Sequence, residues 1–233
     1  ASLEESEKEK GLMIAQLSHD IKTPLTSIQA TVEGMLDGVI AADEQQYYLK
    51  TISRQTDRLN KLVEELSFIT LNTMHEPDTP IEKEEIYLDK LLIDIMSEFQ
   101  LVIDKEDRDI RISVQPESAK IISNYDKLSR LILNLVSNAF KYSEAGTKLT
   151  IDAAVDNKRL TLTVADEGQG IKSEDLEKIF KRLYRVESSR NMKTGGHGLG
   201  LYIARELAHQ LGGDIFVQSE YGQGSSFSLV LDL

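Results

Sequence analysis

The sequence predicts a multi-domain chain: an all-α antiparallel helical hairpin that forms a four-helix bundle by dimerising, then an α/β two-layer sandwich. Three observations carry this. Over residues 1–75 the apolar residues recur in steps of three and four. Beyond a proline-bearing break, that spacing alternates with the every-other-residue spacing of strands. Closely spaced glycines occur only after the break, at the edges of periodic segments.

In the first helix the apolar positions are Ile14, Leu17, Ile21, Leu25, Ile28, Val32, Met35 and Val39. Gly38 ends the pattern and Asp43 is the expected cap of the next helix, which runs through Ile52, Leu59, Leu62, Val63, Leu66 and Ile69. A hairpin alone cannot cover both of its apolar faces, so self-association into a homodimer is the economical outcome. "HEPDTP", with Pro77 and Pro80, reads as the linker, giving a hairpin over 1–75, a linker over 76–80 and a second domain over 81–233. There, "LDKLLIDIMSEFQLVI" and "YDKLSRLILNLVSNAFKY" have helical spacing, and "IRISV", "LTIDAAV" and "LTLTVA" alternate as half-buried strands. "GLGLYIARELAHQLGG" is helical with a glycine stop, and "SSFSLVLDL" is a closing strand.

Composition bounds the function. The 233 residues are 40% hydrophobic and 28% charged, enough for a sizeable core. A net charge of −12 argues against nucleic acid as a partner, because phosphate backbones need a basic face, but leaves nucleotides open. With no cysteine there is neither a disulfide framework nor thiolate chemistry. No apolar run of about 18 residues occurs and no signal peptide is recognisable. The opening "ASLEESEKEKGL" reads as a helix cut in mid-course, which points to a piece of a longer protein.

Three stretches carry candidate chemistry. In 128–139 the core stripe is Leu128, Leu131, Ile132, Leu135, Val136 and Ala139, while Asn134 and Asn138 share another face, continued by Lys141 and Tyr142. Such an edge could hold a hydrated Mg²⁺ and a phosphate chain, or be a solvated polar face. "VADEGQGI" ends a strand with Asp166, followed by Gly168, Gly170 and Ile171. It is either a turn or a carboxylate placed to accept a hydrogen bond from an adenine amine, with glycines that let backbone approach the base. In "GGHGLGL", Gly196, His197, Gly198, Leu199, Gly200 and Leu201 open an amphipathic helix whose exposed N–H groups suit an anion. Neither a phosphate-loop nor a Rossmann pattern is present. The polar, basic stretch "FKRLYRVESSRNMKTGG" between the glycine clusters reads as a lid over phosphates or as an ordinary surface loop.

Taken in order, these stretches resemble the sensor histidine kinases of two-component systems. "SHDIKTPLTSI" resembles the phosphoacceptor box, "NLVSNAFKY" the asparagine box and "DEGQGI" the first glycine box. "FKRLYR" resembles the phenylalanine box, "GGHGLGL" the second glycine box and "GQGSSFSLVL" the closing glycine motif. The second domain is also similar to the Bergerat-type ATP-binding fold of type II topoisomerases, Hsp90 and MutL. Departures are small: Lys22 where arginine is usual, Glu167 where asparagine is frequent, Leu183 where a second aromatic is frequent, and His197 where threonine is common.

The resemblance implies an autokinase that uses ATP and Mg²⁺, phosphorylates His19 and passes the phosphoryl group to an aspartate of a response regulator, with phosphatase activity toward it. It implies that Asp20 orients the imidazole or takes its proton, and that Thr23 positions water for dephosphorylation. Asn138 would be the principal Mg²⁺ ligand, assisted by Asn134; Lys141 and Arg182 would neutralise phosphate, Tyr142 would line the pocket and Asp166 would read adenine. Hydrolysing relatives place a glutamate four residues before the magnesium asparagine; Asn134 stands there and is no base, which favours transfer to protein over transfer to water. The alternatives are a degenerate ATP-binding module without kinase activity and a related-fold ATPase. The full-length protein is expected to be anchored in a bacterial membrane, with this part cytoplasmic.

His19 is two residues from both Leu17 and Ile21, about 200° of helix rotation from each, and so points away from the apolar stripe. Pro24 has no N–H and crowds the carbonyl of Asp20, which is expected to loosen or bend the helix beside the reactive residue.

Overall fold

The computed structural model describes residues 2–74, 82–186 and 197–233, with side chains from residue 13 to residue 70 and throughout the two later spans. The expected linker at 76–80, much of the basic stretch and Gly196 lie outside the described residues. The chain forms two compact units, Ala1–His75 and Glu76–Leu233.

The first unit is a hairpin of α1, Ser2–Leu36, and α2, Gln45–Met74. The helix stop lies where the sequence puts it. Gly38 is left-handed, with φ of 69°, and Val39 N–H donates back to the Gly34 carbonyl at 3.0 Å, closing the last turn. Helix α2 begins at Gln45, so Glu44 rather than Asp43 takes the cap position; its carbonyl accepts from Tyr48 at 3.3 Å. Helix α1 is unbroken through Pro24, whose ring is buried. Leu62 and Ile69 are fully or nearly buried, but Ile14, Leu25, Leu36, Leu49 and Val63 are each more than half exposed. One copy of the hairpin therefore leaves much of its apolar surface open.

The second unit is a five-stranded sheet with helices against it. The strands are β2 (Asp109–Gln115), β4 (Lys148–Asp156), β5 (Arg159–Asp166), β7 (Gly224–Asp232) and β6 (Gly213–Glu220), in the spatial order β2-β4-β5-β7-β6. Strands β2 and β4 are parallel and the other pairs antiparallel. The buried face carries Leu149, Ile151, Leu160, Leu162, Val164, Ile215, Phe227, Leu229 and Leu231. Helices α3 (Leu88–Ser97), α5 (Tyr125–Tyr142) and α6 (Gly200–Gln210) supply the facing layer. All six residues expected on the core stripe of α5 are buried, and Asn124 caps this helix by accepting from Lys127 N–H at 2.9 Å.

Two features depart from the periodicity. The single helix expected over 88–103 is broken into α3 and a short α4, Gln100–Glu106. Phe99 leaves helical geometry at the break and its ring stacks on Phe140, 4.8 Å away with planes 3° apart. Strands β1 (Glu84–Tyr87) and β3 (Lys120–Ser123) form a separate two-stranded sheet, and β6 adds an edge. None of the three announces itself by apolar alternation: β1 and β3 are four residues each, and β6, though its burial alternates, carries the exposed Phe216 between Ile215 and Val217.

The junction of α6 and β6 is fastened by charge. Arg205 donates to both carboxylate oxygens of Asp214, at 2.8 and 3.0 Å, while its guanidinium lies 5.0 Å from the Phe180 ring centre. His209 lies 3.1 Å from the same carboxylate. The Arg205 hydrogen bonds hold Asp214 down at about 2. A depressed carboxyl stabilises the fold above its unfolded value and loses that contribution as pH falls through about 2. Asp214→Asn is expected to lower stability by about 1 kcal/mol at pH 7, discounted for solvent screening, with the difference vanishing near pH 2. Urea titrations of both proteins across that range check it.

Candidate functional site

Two groups of side chains stand out, one in each unit. In the hairpin, His19 projects into solvent with 78% of its side chain exposed, whereas the neighbouring Asp20 is 12% exposed. The His19 Nδ1 to Asp20 Oδ1 distance is 3.5 Å, at the outer limit of a hydrogen bond, so the carboxylate is beside the ring without clamping it. Thr23 Oγ1 donates to the His19 carbonyl at 3.0 Å, and Ser18 Oγ to the Ile14 carbonyl at 2.7 Å. Pro24, one turn beyond, removes the N–H that the Asp20 carbonyl would otherwise receive.

In the second unit the polar edge of α5 faces the glycine segments. Asn134 donates its amide to the Arg130 carbonyl at 2.9 Å, and its oxygen faces Gly200, the first residue of α6. A Cβ at Gly200 would lie 3.2 Å from that oxygen. Asn138 is half-buried and its amide makes no hydrogen bond among the described residues. Lys141 Nζ lies 4.8 Å from the Tyr142 ring centre.

Asp166 ends β5 and is 8% exposed; its Oδ1 accepts the Gly168 N–H at 2.8 Å. The loop after it is seated against three elements. Gln169 N–H donates to the Tyr142 carbonyl at 3.0 Å, Ile171 N–H to Ser219 Oγ at 2.8 Å, and the Gln169 carbonyl accepts from Gly222 at 2.7 Å. Gly168 is required by this seating, since a Cβ would collide with the Tyr142 carbonyl oxygen and Asp166 Oδ1. Gly170 is left-handed and its missing Cβ would strike the Glu220 carbonyl.

Gly198, with φ of 73°, packs where a Cβ would strike the backbone of Leu183 and Tyr184. His197 and Leu199 are buried, and Gly200 and Leu201 are half-buried. The start of the basic stretch is anchored twice. Tyr184 donates to Asp175 Oδ1 at 2.5 Å; Arg182 donates to the Tyr202 hydroxyl at 2.5 Å with its guanidinium 4.7 Å from that ring centre. Leu183 between them is left-handed, with φ of 60°. Contacts thus join Asn134 to Gly200 at the start of α6, and Tyr142 at the end of α5 to the loop that carries Asp166, Gly168 and Gly170. Asn138 and Lys141 lie on α5 between these two contacts, while Ile171 meets Ser219 and Gly198 packs on Leu183 and Tyr184. Asp175, Tyr202, Ser219 and, above all, Arg108 carry no motif; they are found only through their contacts.

Burial pushes Asp166 up to about 6, against the N–H groups of Gly168 and Ser225 and the charge of Arg108, which favour ionisation. Among the described residues no group of three His, Asp or Glu could hold a metal ion, and no helix is long and apolar enough to cross a membrane.

This pairing of a helical hairpin with an α/β lobe matches two families. Residues 123–233 match the histidine kinase-, DNA gyrase B-, and HSP90-like ATPase family, and residues 9–71 match the His Kinase A (phospho-acceptor) domain. The chain belongs to the sensor histidine kinases. Histidine protein kinase SaeS of Staphylococcus aureus is 36% identical over 98% of this chain, which spans 65% of that relative's length. Among solved structures, Acinetobacter baumannii histidine kinase AdeS shares the fold with a TM-score of 0.73 at 24% identity, over 92% of this chain and 98% of that one. Histidine kinase ThkA in complex with response regulator protein TrrA gives 0.74 at 22% identity, over 99% of this chain and 66% of that one.

The raised Asp166 predicts a trade between stability and function. A carboxyl whose folded value exceeds its unfolded value stabilises the fold below the unfolded value and loses that contribution as pH rises through about 6. Asp166→Asn keeps the oxygen that accepts from Gly168 and removes the buried charge. It is expected to stabilise the nucleotide-free protein by about 2 kcal/mol at pH 8 and to give no gain at pH 4. Chemical denaturation at the two pH values checks this.

Proposed function

We propose that this chain is the kinase core of a two-component sensor: an ATP-dependent histidine autokinase that phosphorylates His19 and passes the phosphoryl group to a receiver aspartate. The observation that carries it is the exposed imidazole of His19, on a hairpin followed in the chain by a unit with the half-buried Asn138 amide, which makes no hydrogen bond among the described residues, and the seated Asp166–Gly168 loop. In this reading Asp166 accepts a hydrogen bond from the adenine amine, and Gly168 and Gly170 let the base approach. Tyr142 and Ile171 line the pocket, and Lys141 and Arg182 neutralise phosphate. The segment from Gly196 through His197, Gly198, Leu199, Gly200 and Leu201 offers N–H groups to the phosphate chain.

The donor set fits Mg²⁺. Asn138 offers a half-buried amide oxygen that no described group occupies, with Asn134 near it on the same helix face, and neutral oxygens suit an ion that keeps its waters. When bound, the ion would neutralise charge on the transferring phosphoryl group. A ring nitrogen of His19 attacks the γ-phosphorus, the bond to the bridging oxygen breaks, and ADP leaves with that electron pair. Asp20 orients the imidazole or takes its proton, and Thr23 positions a water when the phosphorylated regulator is dephosphorylated.

The homodimer is supported by the apolar residues that one hairpin leaves open. A response regulator as partner is supported by the likeness to ThkA, a histidine kinase captured in complex with response regulator protein TrrA. The full-length protein is proposed to be membrane-anchored with this part in the bacterial cytoplasm, since the curated relatives extend beyond the matched span. Incubation with γ-labelled ATP and Mg²⁺ is expected to leave acid-labile, base-stable label on the chain. His19→Gln should reduce it to below about 1% of the parent while ATP still binds. Undiminished label in that variant would overturn the proposal, as would ATP binding without label in the parent.

A further inference from the structure

Arg108 is a buried cation that the phosphotransfer scheme does not use. It follows Asp107, which is left-handed with φ of 49°, and immediately precedes β2. Its side chain is 2% exposed and forms an ion pair with Glu106 at 2.7 Å. Its N–H groups are spent on a single neighbourhood. Nε donates to Glu106 at 2.9 Å; Nη1 donates to Ser143 Oγ at 2.5 Å and to Thr147 Oγ1 at 3.0 Å. Nη2 donates to the carbonyls of Phe140 at 3.3 Å and Ser143 at 2.9 Å. The guanidinium also lies 5.4 Å from the Phe140 ring centre, on the aromatic pair that breaks α3 from α4.

Burying an arginine is a poor route to stability, since apolar replacements of similar size are often as stable or more so. What the fork supplies here is geometry. The last carbonyls of a helix lack intrahelical donors and carry partial negative charge. Arg108 takes those of Phe140 and Ser143, and the Tyr142 carbonyl between them receives Gln169 N–H at 3.0 Å. The same turn carries Lys141 and Tyr142, one turn beyond Asn138.

We propose that Arg108 is a positioning residue for the nucleotide: by forking onto the carbonyl end of α5 it fixes the Tyr142 carbonyl on which the Asp166–Gly168 loop is seated. The inference rests on the ATP-binding reading above. It carries an electrostatic corollary. The groups acting on the Asp166 carboxyl are the N–H of Gly168 in its loop, the N–H of Ser225 in β7, and Arg108 ahead of β2; all three favour the ionised form that accepts from adenine.

The test compares the whole chain with Arg108→Met and Arg108→Lys, reading ATP affinity by calorimetry from pH 5 to 8 and autophosphorylation against ATP concentration. Arg108→Met is expected to weaken ATP binding roughly tenfold and to leave the rate at saturating ATP within about twofold. The pH below which affinity falls should move up, since Asp166 loses a cation. Arg108→Lys keeps the charge but not the fork, so it should weaken binding while leaving that pH in place. The lysine variant also keeps the test open should the methionine variant fail to fold. A folded Arg108→Met with parental affinity, or a lysine variant with parental affinity, overturns the inference alone. Failure of the parent chain to bind ATP overturns the functional reading and this inference with it.

Discussion

The second unit depends on what happens at the carbonyl end of α5. A helix end inside a protein leaves acceptors that must be met, and here they are met by Arg108 and by the loop after β5. Because the Tyr142 carbonyl receives Gln169, the loop can approach only if residue 168 has no side chain, and Gly168 has none. That close approach leaves the Asp166 carboxyl buried and accepting from Gly168 N–H, and the burial is why its affinity for a proton is raised. One set of backbone hydrogen bonds thus places the asparagine edge, the glycine loop and the buried acid together.

The hairpin obeys a different constraint. Its fold satisfies backbone groups locally, through helix ladders and the left-handed Gly38, but not its apolar surface. Ile14, Leu25, Leu36, Leu49 and Val63 remain open in one copy, whereas His19 is exposed for a separate reason, being on the opposite side of the stripe. Apolar exposure calls for a partner helix, and imidazole exposure leaves a nucleophile accessible. The two kinds of exposure lie on different sides of the hairpin, one an apolar surface left open and the other an imidazole turned to solvent.

The motif residues were legible because each is fixed by a local requirement. Gly38 was readable as a helix stop, Asn134 and Asn138 as neighbours on one face, and the core stripe of α5 from its period. The break at Phe99 was not legible, because helical spacing continues through it and only Phe140, distant in sequence, draws the ring out of register. Strands β1, β3 and β6 were hidden for a similar reason: short or half-exposed strands owe their existence to their partners rather than to their own alternation.

The sequence by itself determined the two-part architecture, the outward direction of His19 and the order of the asparagine and glycine segments. Periodicity and conformational freedom are properties of neighbouring residues, and they survive without a fold. Tertiary structure alone decided that Arg108 meets Phe140 and Ser143, that Tyr202 holds Arg182, and that Asp166 is buried enough to resist ionisation. Those facts depend on desolvation and on pairings between distant segments, quantities that exist only once the chain has closed around them.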